Sequence, residues 1–463
     1  MEPRSLEYVA AACNGEIRGG SLETLVTRVC TDSRQVQVGD LFIALAGERF
    51  DAHDYLVEVA RAGASALLVS RAKVERASGL SDAVALVVVE DTRVALRQLA
   101  ARYRQDFQIP IVAIAGSNGK TTTKELLASV MRQKGDTLWS EASFNNDIGV
   151  PLTLLKLERR HGAAVIEVGT NHPGELLPLL KIVQPQHGIL TNIGREHLEF
   201  FGDLAGVAQE EGTLAEFLQP AGKLFINGDN EWTPAIARRA RCEVVKVGFG
   251  DANAWRASNV RVGEDGVRFD AESPQSEYAG EYRLRVLGRH QVPNALLAVA
   301  AGTELGATPG QIRRGLAECA PPKMRLQIWE ANGVRVLDDA YNANADSMLA
   351  ALQTLHDLPC AGRRVAVLGD MAELGKHTAE AHREIGQRSF ELGVNRLVAV
   401  GRFARETAQA AEAAGLKDVS EFADVPAAAA AVKELVRPGD VVLLKASRST
   451  GLEKVGEALR AAS

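Results

Sequence analysis

The chain has 463 residues, which at roughly 150 residues per domain suggests about three domains. Apolar residues make up 46% and charged residues 24%, an ordinary globular balance with material for several cores. A net charge of -6 gives no electrostatic reason to expect a nucleic-acid partner, so an anionic substrate would have to be met by local cations.

Near the start, "MEPRSLEYVAAACNGEIRG" lacks a basic head followed by an apolar signal core, and no apolar run approaches the ~20 residues of a membrane helix. The five cysteines, Cys13, Cys30, Cys242, Cys319 and Cys360, are scattered without a Cys-x-x-Cys pair. That predicts a reduced setting with neither a disulfide framework nor a cysteine zinc site. A soluble cytoplasmic protein with no stable membrane association is expected.

To about Glu90, the strand-like "DLFIALAG" and "SALLVS" with the helical "DYLVEVARAGA" predict a small α/β domain, residues 1–90. The helical "TRVALRQLAARYRQ" opens a second block, residues 91–320. In it the strand "IPIVAIAG" runs into the helix "TTTKELLASVMRQKG", and "AAVIEVGT", "HGILTNI" and "KLFING" alternate with helical segments. This alternation predicts βαβ units and a mainly parallel sheet. Between Ala252 and Leu287 a short, polar, alternating pattern predicts a small antiparallel patch, followed by the helix "PNALLAVAAGTELG". Pro321-Pro322 marks the boundary to a third block, residues 321–463. Its strands "VRVLDDA", "RRVAVLGD", "RLVAVG" and "DVVLLKA" alternate with Ala- and Glu-rich helices, a doubly wound pattern. Helix propensity explains "DVPAAAAAVKELV" better than low complexity does.

Between the second block's strand and helix lies "AGSNGKTT", a phosphate-binding loop that departs from G-x-x-x-x-G-K-[ST] because Ile114 stands where the first glycine should be. Gly116 and Gly119 let the backbone approach an anion at a helix amino terminus, and Ser117 and Asn118 complete the candidate ATP-binding loop between them. Lys120 adds a point charge, and Thr121 or Thr122 can place a hydroxyl on Mg²⁺. A plain glycine turn is the alternative. Glu167, in "VIEVGTN", stands near the carboxyl end of a strand, where ligands collect in open α/β sheets, and can ligate Mg²⁺; a generic edge carboxylate is the other reading. His197, in "TNIGREHLEFFG", lies beyond another strand on the same sheet edge, either as a ligand or as a structural hydrogen-bonder.

"AGSNGKTTTKE", "NNDIGVPLTLL", "IEVGTN", "TNIGREHLEFFG", "GRHQVPNALLA", "LDDAYNANADSM", "LGDMAELG" and "LLKASRSTGLEKV" occur in an order that resembles the Mur ligases over nearly the whole chain. The short G-[ST]-N-G-K-T loop of that family accounts for Ile114. "TDSRQVQVGDLFIALAGERFDAHDY" resembles the UDP-binding domain of the pathway's last two ligases. "HLEFFG", "YNANADSM" and "GDMAELG" resemble the member that joins D-alanyl-D-alanine to UDP-N-acetylmuramoyl-tripeptide.

The resemblance implies a three-domain α/β fold: a UDP-sugar-binding domain, a central ATP-binding domain and a Rossmann-like ligase domain. It implies transfer of the γ-phosphoryl group of ATP to the peptide carboxylate, attack by the D-alanyl-D-alanine amine on the acyl phosphate, and release of ADP and phosphate. By similarity, Lys120 contacts the β/γ-phosphates, Thr121 and Glu167 hold one Mg²⁺, and His197 helps hold a second. Asn294 resembles the adenine contact, and Arg325 and Asp339 resemble residues reaching phosphate and ribose. Tyr341, Asn342 and Asn344 belong to the nucleotide-side loop, Asn344 also being a substrate candidate, with simple packing as the alternative for Tyr341. Ser33, Arg34 and Gly47 fall where the family binds the uridine diphosphate end, and Asn145 and Asn146 resemble substrate contacts. Lys445 and Arg448 could offset substrate charge, or form a solvated helix-start cluster. A monomer is expected.

Two departures stand out. Most of the family carries a carbamylated lysine where this chain has Glu211, in "GVAQEEGTLAEF". Glu211 supplies an anion without the modification and is expected to reach the second Mg²⁺ through a water or a small backbone shift; the alternative is a solvated acidic helix face. Ala345 stands where "YNANP" has proline, which frees the backbone without altering the chemistry. The rival readings are the preceding tripeptide-forming ligase, folylpolyglutamate synthase, which should lack the "TDSR" block, and a P-loop regulator with no ligase step.

Overall fold

The computed structural model describes residues 1–80 and 84–461, which fold as two compact units. One comprises Met1–Ala113, Gly135–Gly169 and Leu177–Gln186; the other comprises Ile114–Lys134, Thr170–Leu176 and His187–Ser463. The expected α/β class is borne out in both.

In the first unit, five strands order as Glu16–Arg18, Ala85–Val89, Ala66–Ser70, Asp40–Ile43 and Arg28–Cys30. All neighbours are parallel except the edge strand Glu16–Arg18. Leu41, Phe42, Ile43, Leu67, Leu68 and Val87 are wholly buried, as continuous apolar runs in a parallel sheet require. Helix Thr92–Arg104 follows, its first amides capped by the Asp91 carboxylate. Strands Thr137–Trp139 and Ala163–Glu167 pair in parallel in the same unit.

In the second unit, strands His187–Leu190, Lys223–Asn227, Glu243–Gly248 and Trp255–Gly263 pair in parallel in that order. Gly266–Glu272 and Gly280–Leu284 then continue antiparallel, the patch anticipated between Ala252 and Leu287. Helix Gln291–Glu304 is buried continuously from Gln291 to Gly302, which explains its lack of a polar face. A six-stranded sheet follows in the order Gln327–Ala331, Val334–Asp338, Val441–Lys445, Arg364–Gly369, Arg396–Val400 and Val419–Phe422. Only its first pair is antiparallel. Val336, Val365, Val367, Val398 and Leu444 form its core. The alanine-rich stretch is helix Val425–Leu435, capped by Asp424. Because the last five strands run the same way, the segments following Asp338, Gly369, Val400 and Lys445 emerge at one edge, where open α/β sheets bind ligands.

Among the described residues, no helix is long and apolar enough to cross a membrane.

Candidate active site

Strand Ile111–Ala115 is buried throughout, so Ile114 fills core rather than shaping the loop that follows. Gly116 has φ +111°, and a Cβ there would lie 2.4 Å from Thr191 Oγ1 and 2.9 Å from the Asn192 carbonyl. At Gly119, φ +86°, a Cβ would lie 2.5 Å from Asn294 Oδ1. Both positions therefore require glycine for conformation and for space. The loop is laced to the segment after strand His187–Leu190. Ser117 N donates to Asn192 O at 2.9 Å, Asn118 N to Asn192 Oδ1 at 2.8 Å, and Gly194 N to Ser117 Oγ at 2.9 Å. Helix Lys120–Arg132 starts at Gly119 with no side-chain cap, a start that suits an anionic ligand. Lys120 Nζ folds over its own loop, donating to Gly116 O and, at 3.3 Å, to Ser117 O; it lies 3.4 Å from Glu196 Oε2.

Glu211 ends helix Leu204–Glu211 and is 1% exposed. Its Oε2 accepts the Gly116 amide at 2.6 Å, while its Oε1 has no hydrogen-bond partner among the described residues. Burial first, then the charge of Glu196, pushes its carboxyl up to about 8, against the pull of Lys120 and the Gly116 amide. The solvated acidic face that was the alternative reading of "QEEG" is absent here. Glu210 is buried too, accepting the amides of Gly174 at 2.8 Å and Leu176 at 2.7 Å.

His197 adopts left-handed backbone at φ +45°, and so does Glu373 at φ +61°. Their side chains meet, His197 Nδ1 lying 2.5 Å from Glu373 Oε2. This hydrogen bond is the main cause holding the Glu373 carboxyl below its ordinary range. A ring that donates Nδ1–H to a carboxylate keeps the Nε2 lone pair for a cation, the usual arrangement of a ligating histidine.

The C-terminal sheet's edge closes on the same loop. Asn344 caps helix Ala345–Asp357 and donates from Nδ2 to Asn118 Oδ1 at 2.9 Å. Arg195, beside Glu196, donates from N and Nε to Asp346 and from Nη1 to Glu384. Asn294 donates to Gln291 Oε1 at 2.8 Å directly behind Gly119. Tyr341 is flanked by two guanidinium groups, with Arg325 at 4.3 Å and Arg448 at 5.9 Å from its ring centroid. Asp339 accepts the Leu326 amide and the Lys445 ammonium, which also donates to Asn342 O at 3.0 Å. Lys445 is 2% exposed, and burial lowers its pKa against the opposing pull of Asp339. Its charge is thus engaged within the fold. Arg448 pairs with Glu453 at 3.2 Å.

At the same sheet edge lies a cavity of about 510 Å³, within the size range of small-molecule sites. Arg402, Lys454, Asp370 and Asp424 give it both signs of charge, and Met371 and Val425 contribute apolar wall. Asp370 accepts the amides of Arg402 and Phe403, each at 2.9 Å. The segment from Asp370 to Glu373 therefore lines the cavity at one end and holds His197 at the other. Sequence reasoning passed over Glu196, Glu373, Arg402 and Lys454. For Glu373 the signal was its place in "GDMAELG", which carried no assigned chemistry.

In the first unit, Glu167 is 1% exposed, its Oε1 accepting from Asn145 Nδ2 at 2.9 Å and its amide donating to Ser140 Oγ at 3.0 Å. Asn146 Oδ1 accepts the Gly149 amide at 2.8 Å, capping the next helical turn. Ser33 and Arg34 lie in the turn Ser33–Gln35, where Arg34 grips Asp32 through two nitrogens, each at 2.8 Å. Gly47 N donates to Phe50 O at 2.9 Å, closing a loop that exposes Phe50.

Among the described residues, no group of three or more His, Cys, Asp or Glu side chains could hold a metal ion unaided. An Mg²⁺ held here would take most of its ligands from waters and phosphate oxygens. The glycine cradle, the uncapped helix start and Lys120 fit a nucleotide's phosphates.

Three family models match this chain: the Mur ligase family catalytic domain over residues 25–104, the Mur ligase middle domain over 114–302 and the Mur ligase glutamate ligase domain over 324–448. A relative from Escherichia coli K12 named UDP-N-acetylmuramoyl-tripeptide--D-alanyl-D-alanine ligase is 38% identical, with 98% of each chain covered. One of the same name from Bacillus subtilis is 32% identical over 98% of each. The crystal structure of MurF from Acinetobacter baumannii superposes with a TM-score of 0.89 at 32% identity, covering 100% of this chain and 99% of that one. MurF from Thermotoga maritima in complex with ADP gives 0.80 at 26% identity, covering 94% and 97%. With its glycine cradle, three Mur ligase domains matched in order and this likeness along its length, the chain belongs to the Mur ligase family.

Proposed function

We propose that this protein is the ATP-dependent ligase that joins D-alanyl-D-alanine to UDP-N-acetylmuramoyl-tripeptide, a step of cytoplasmic peptidoglycan precursor synthesis. A carboxylate resists nucleophiles because of its charge; ATP supplies the phosphoryl group that makes it an acyl phosphate, and Mg²⁺ offsets the charge between the two anions. ADP and phosphate leave, and an amide bond remains.

In this reading the amides from Gly116 to Lys120 and the Lys120 ammonium orient the phosphates, with Ser117, Asn118 and Thr122 shaping the cradle. Thr121 and Glu167 are the ligands of one Mg²⁺, and the Nε2 of His197, with Glu211 Oε1 directly or through water, serves a second. Glu211 Oε2 meanwhile fixes the first glycine of the cradle. Asn294 faces the adenine, and Arg325, Asp339, Tyr341 and Asn342 form the nucleotide-side loop, with Lys445 holding Asp339 and Asn342 in place. Asn344 ties that loop to Asn118, and Arg448 supplies charge near it. Ser33, Arg34 and Gly47 take the uridine diphosphate end of the other substrate, and Asn145 and Asn146 contact it further along. The domains run over residues 1–90, 91–320 and 321–463, and the protein works as a monomer.

The cavity is the seat of the incoming dipeptide. Arg402 and Lys454 suit its carboxylate, Asp424 or Asp370 its ammonium, and Met371 and Val425 its methyl groups. The observation that carries the reading is the segment Asp370–Glu373, which lines a cavity of dipeptide size with its first residues and holds His197 with its last. Phosphate release should require UDP-N-acetylmuramoyl-tripeptide and D-alanyl-D-alanine together. ATP turnover independent of both, or supported by a single diamino acid with the UDP-dipeptide, would overturn it.

A further inference from the structure

Beside Lys120 stands a carboxylate to which neither the sequence motifs nor the proposed chemistry gives a role. Glu196 is 5% exposed, its Oε2 lies 3.4 Å from Lys120 Nζ, and its Oε1 has no hydrogen-bond partner among the described residues. The adjacent Arg195 gives it no counter-charge, being engaged with Asp346 and Glu384. Among the described residues, Lys120 is the cation within ion-pair distance of Glu196, and the same ammonium also donates to Gly116 O and Ser117 O.

A nucleotide entering the cradle draws on that ammonium. An ammonium has three donors, and each one turned to a phosphate is withdrawn from a loop carbonyl or from Glu196. Glu196 would then be a buried anion facing a polyanion, the arrangement that costs most in a low-dielectric site. A divalent cation carried in with the phosphates removes both the unpaired charge and the repulsion. We propose that Glu196 makes this site selective for the magnesium complex of its nucleotide over the free nucleotide, acting as a positioning residue through Lys120. The proposal rests on the reading of the glycine loop as a nucleotide cradle.

The test is ADP binding to the full chain by calorimetry, with Mg²⁺ and with chelator, for wild type, Glu196→Gln and Glu196→Asp. Magnesium should tighten ADP binding to wild type by about tenfold more than to Glu196→Gln, because the Gln variant binds metal-free ADP more tightly. Glu196→Asp, which keeps the charge, should retain the wild-type dependence, a result that loss of packing alone would not produce. Equal magnesium enhancement in wild type and Glu196→Gln, or weaker binding of metal-free ADP by Glu196→Gln, overturns the proposal. Absence of ADP binding to wild type even with Mg²⁺ overturns the nucleotide reading as well, which separates the two failures.

Discussion

The carboxyl of Glu211 accepts the Gly116 amide at 2.6 Å, so the last residue of helix Leu204–Glu211 holds the first glycine of the phosphate cradle. Removing it leaves a buried N–H unpaired, a cost of about 1–3 kcal/mol. Glu211→Ala should therefore lose stability and ligase activity together, and bicarbonate should restore neither. Full activity of Glu211→Ala in the phosphate-release assay would exclude a role for this side chain.

The same residue predicts a pH dependence. Its carboxyl is pushed from an ordinary 4.5 up to about 8, so the folded protein favours the neutral acid. Its contribution is complete below the ordinary value and is lost as pH rises towards about 8. In nucleotide-free and magnesium-free protein, the Tm of wild type should fall relative to Glu211→Gln between about pH 5 and about pH 8. A Tm difference constant across that interval would count against the assignment.

Gly119 places its absent Cβ 2.5 Å from Asn294 Oδ1 at φ +86°. Gly119→Ala adds left-handed strain of roughly 1–2 kcal/mol to that clash. Equilibrium binding should show ADP affinity at least tenfold weaker, with far-UV circular dichroism unchanged.

Glu373 orients His197 through Nδ1. Because partners that orient a ligating histidine are worth roughly 10–100-fold in metal affinity or activity, Glu373→Ala should raise the magnesium concentration for half-maximal rate by about that factor. An unchanged magnesium requirement with lower kcat would assign Glu373 to something other than the ring's orientation.

Arg402 and Lys454 line the cavity, and neither belongs to the glycine loop. Charge-assisted hydrogen bonds contribute about 1.5–3 kcal/mol, so Arg402→Ala should raise KM for D-alanyl-D-alanine roughly tenfold or more. The KM values for ATP and the UDP-sugar peptide should stay within about twofold, as initial-rate kinetics would show.

Much of this was legible in the chain. Buried strands read as apolar runs, and the glycines of "AGSNGKTT" announced an anion cradle because nothing else tolerates φ +111° and +86° at such close approach. The acidic residues were harder to read. Glu210 and Glu211 look like a solvated helix face until the amides of Gly116, Gly174 and Leu176 are packed onto them, and those amides come from segments 34 to 95 residues away. Local spacing carries no record of such partners. Lys445 misleads in the opposite sense. A lysine at a strand end suggests a ligand contact, yet it is buried against Asp339, 106 residues earlier.

The position of strand Val441–Lys445 between Val334–Asp338 and Arg364–Gly369 bears on biosynthesis. A nascent chain that has not yet emerged to Val441 leaves both neighbours with unpaired backbone edges, so the C-terminal sheet can close only when its central strand arrives. Until then those two apolar strands are exposed templates for pairing with other chains. This part of the enzyme should accordingly be where slow or stalled translation leads to aggregation.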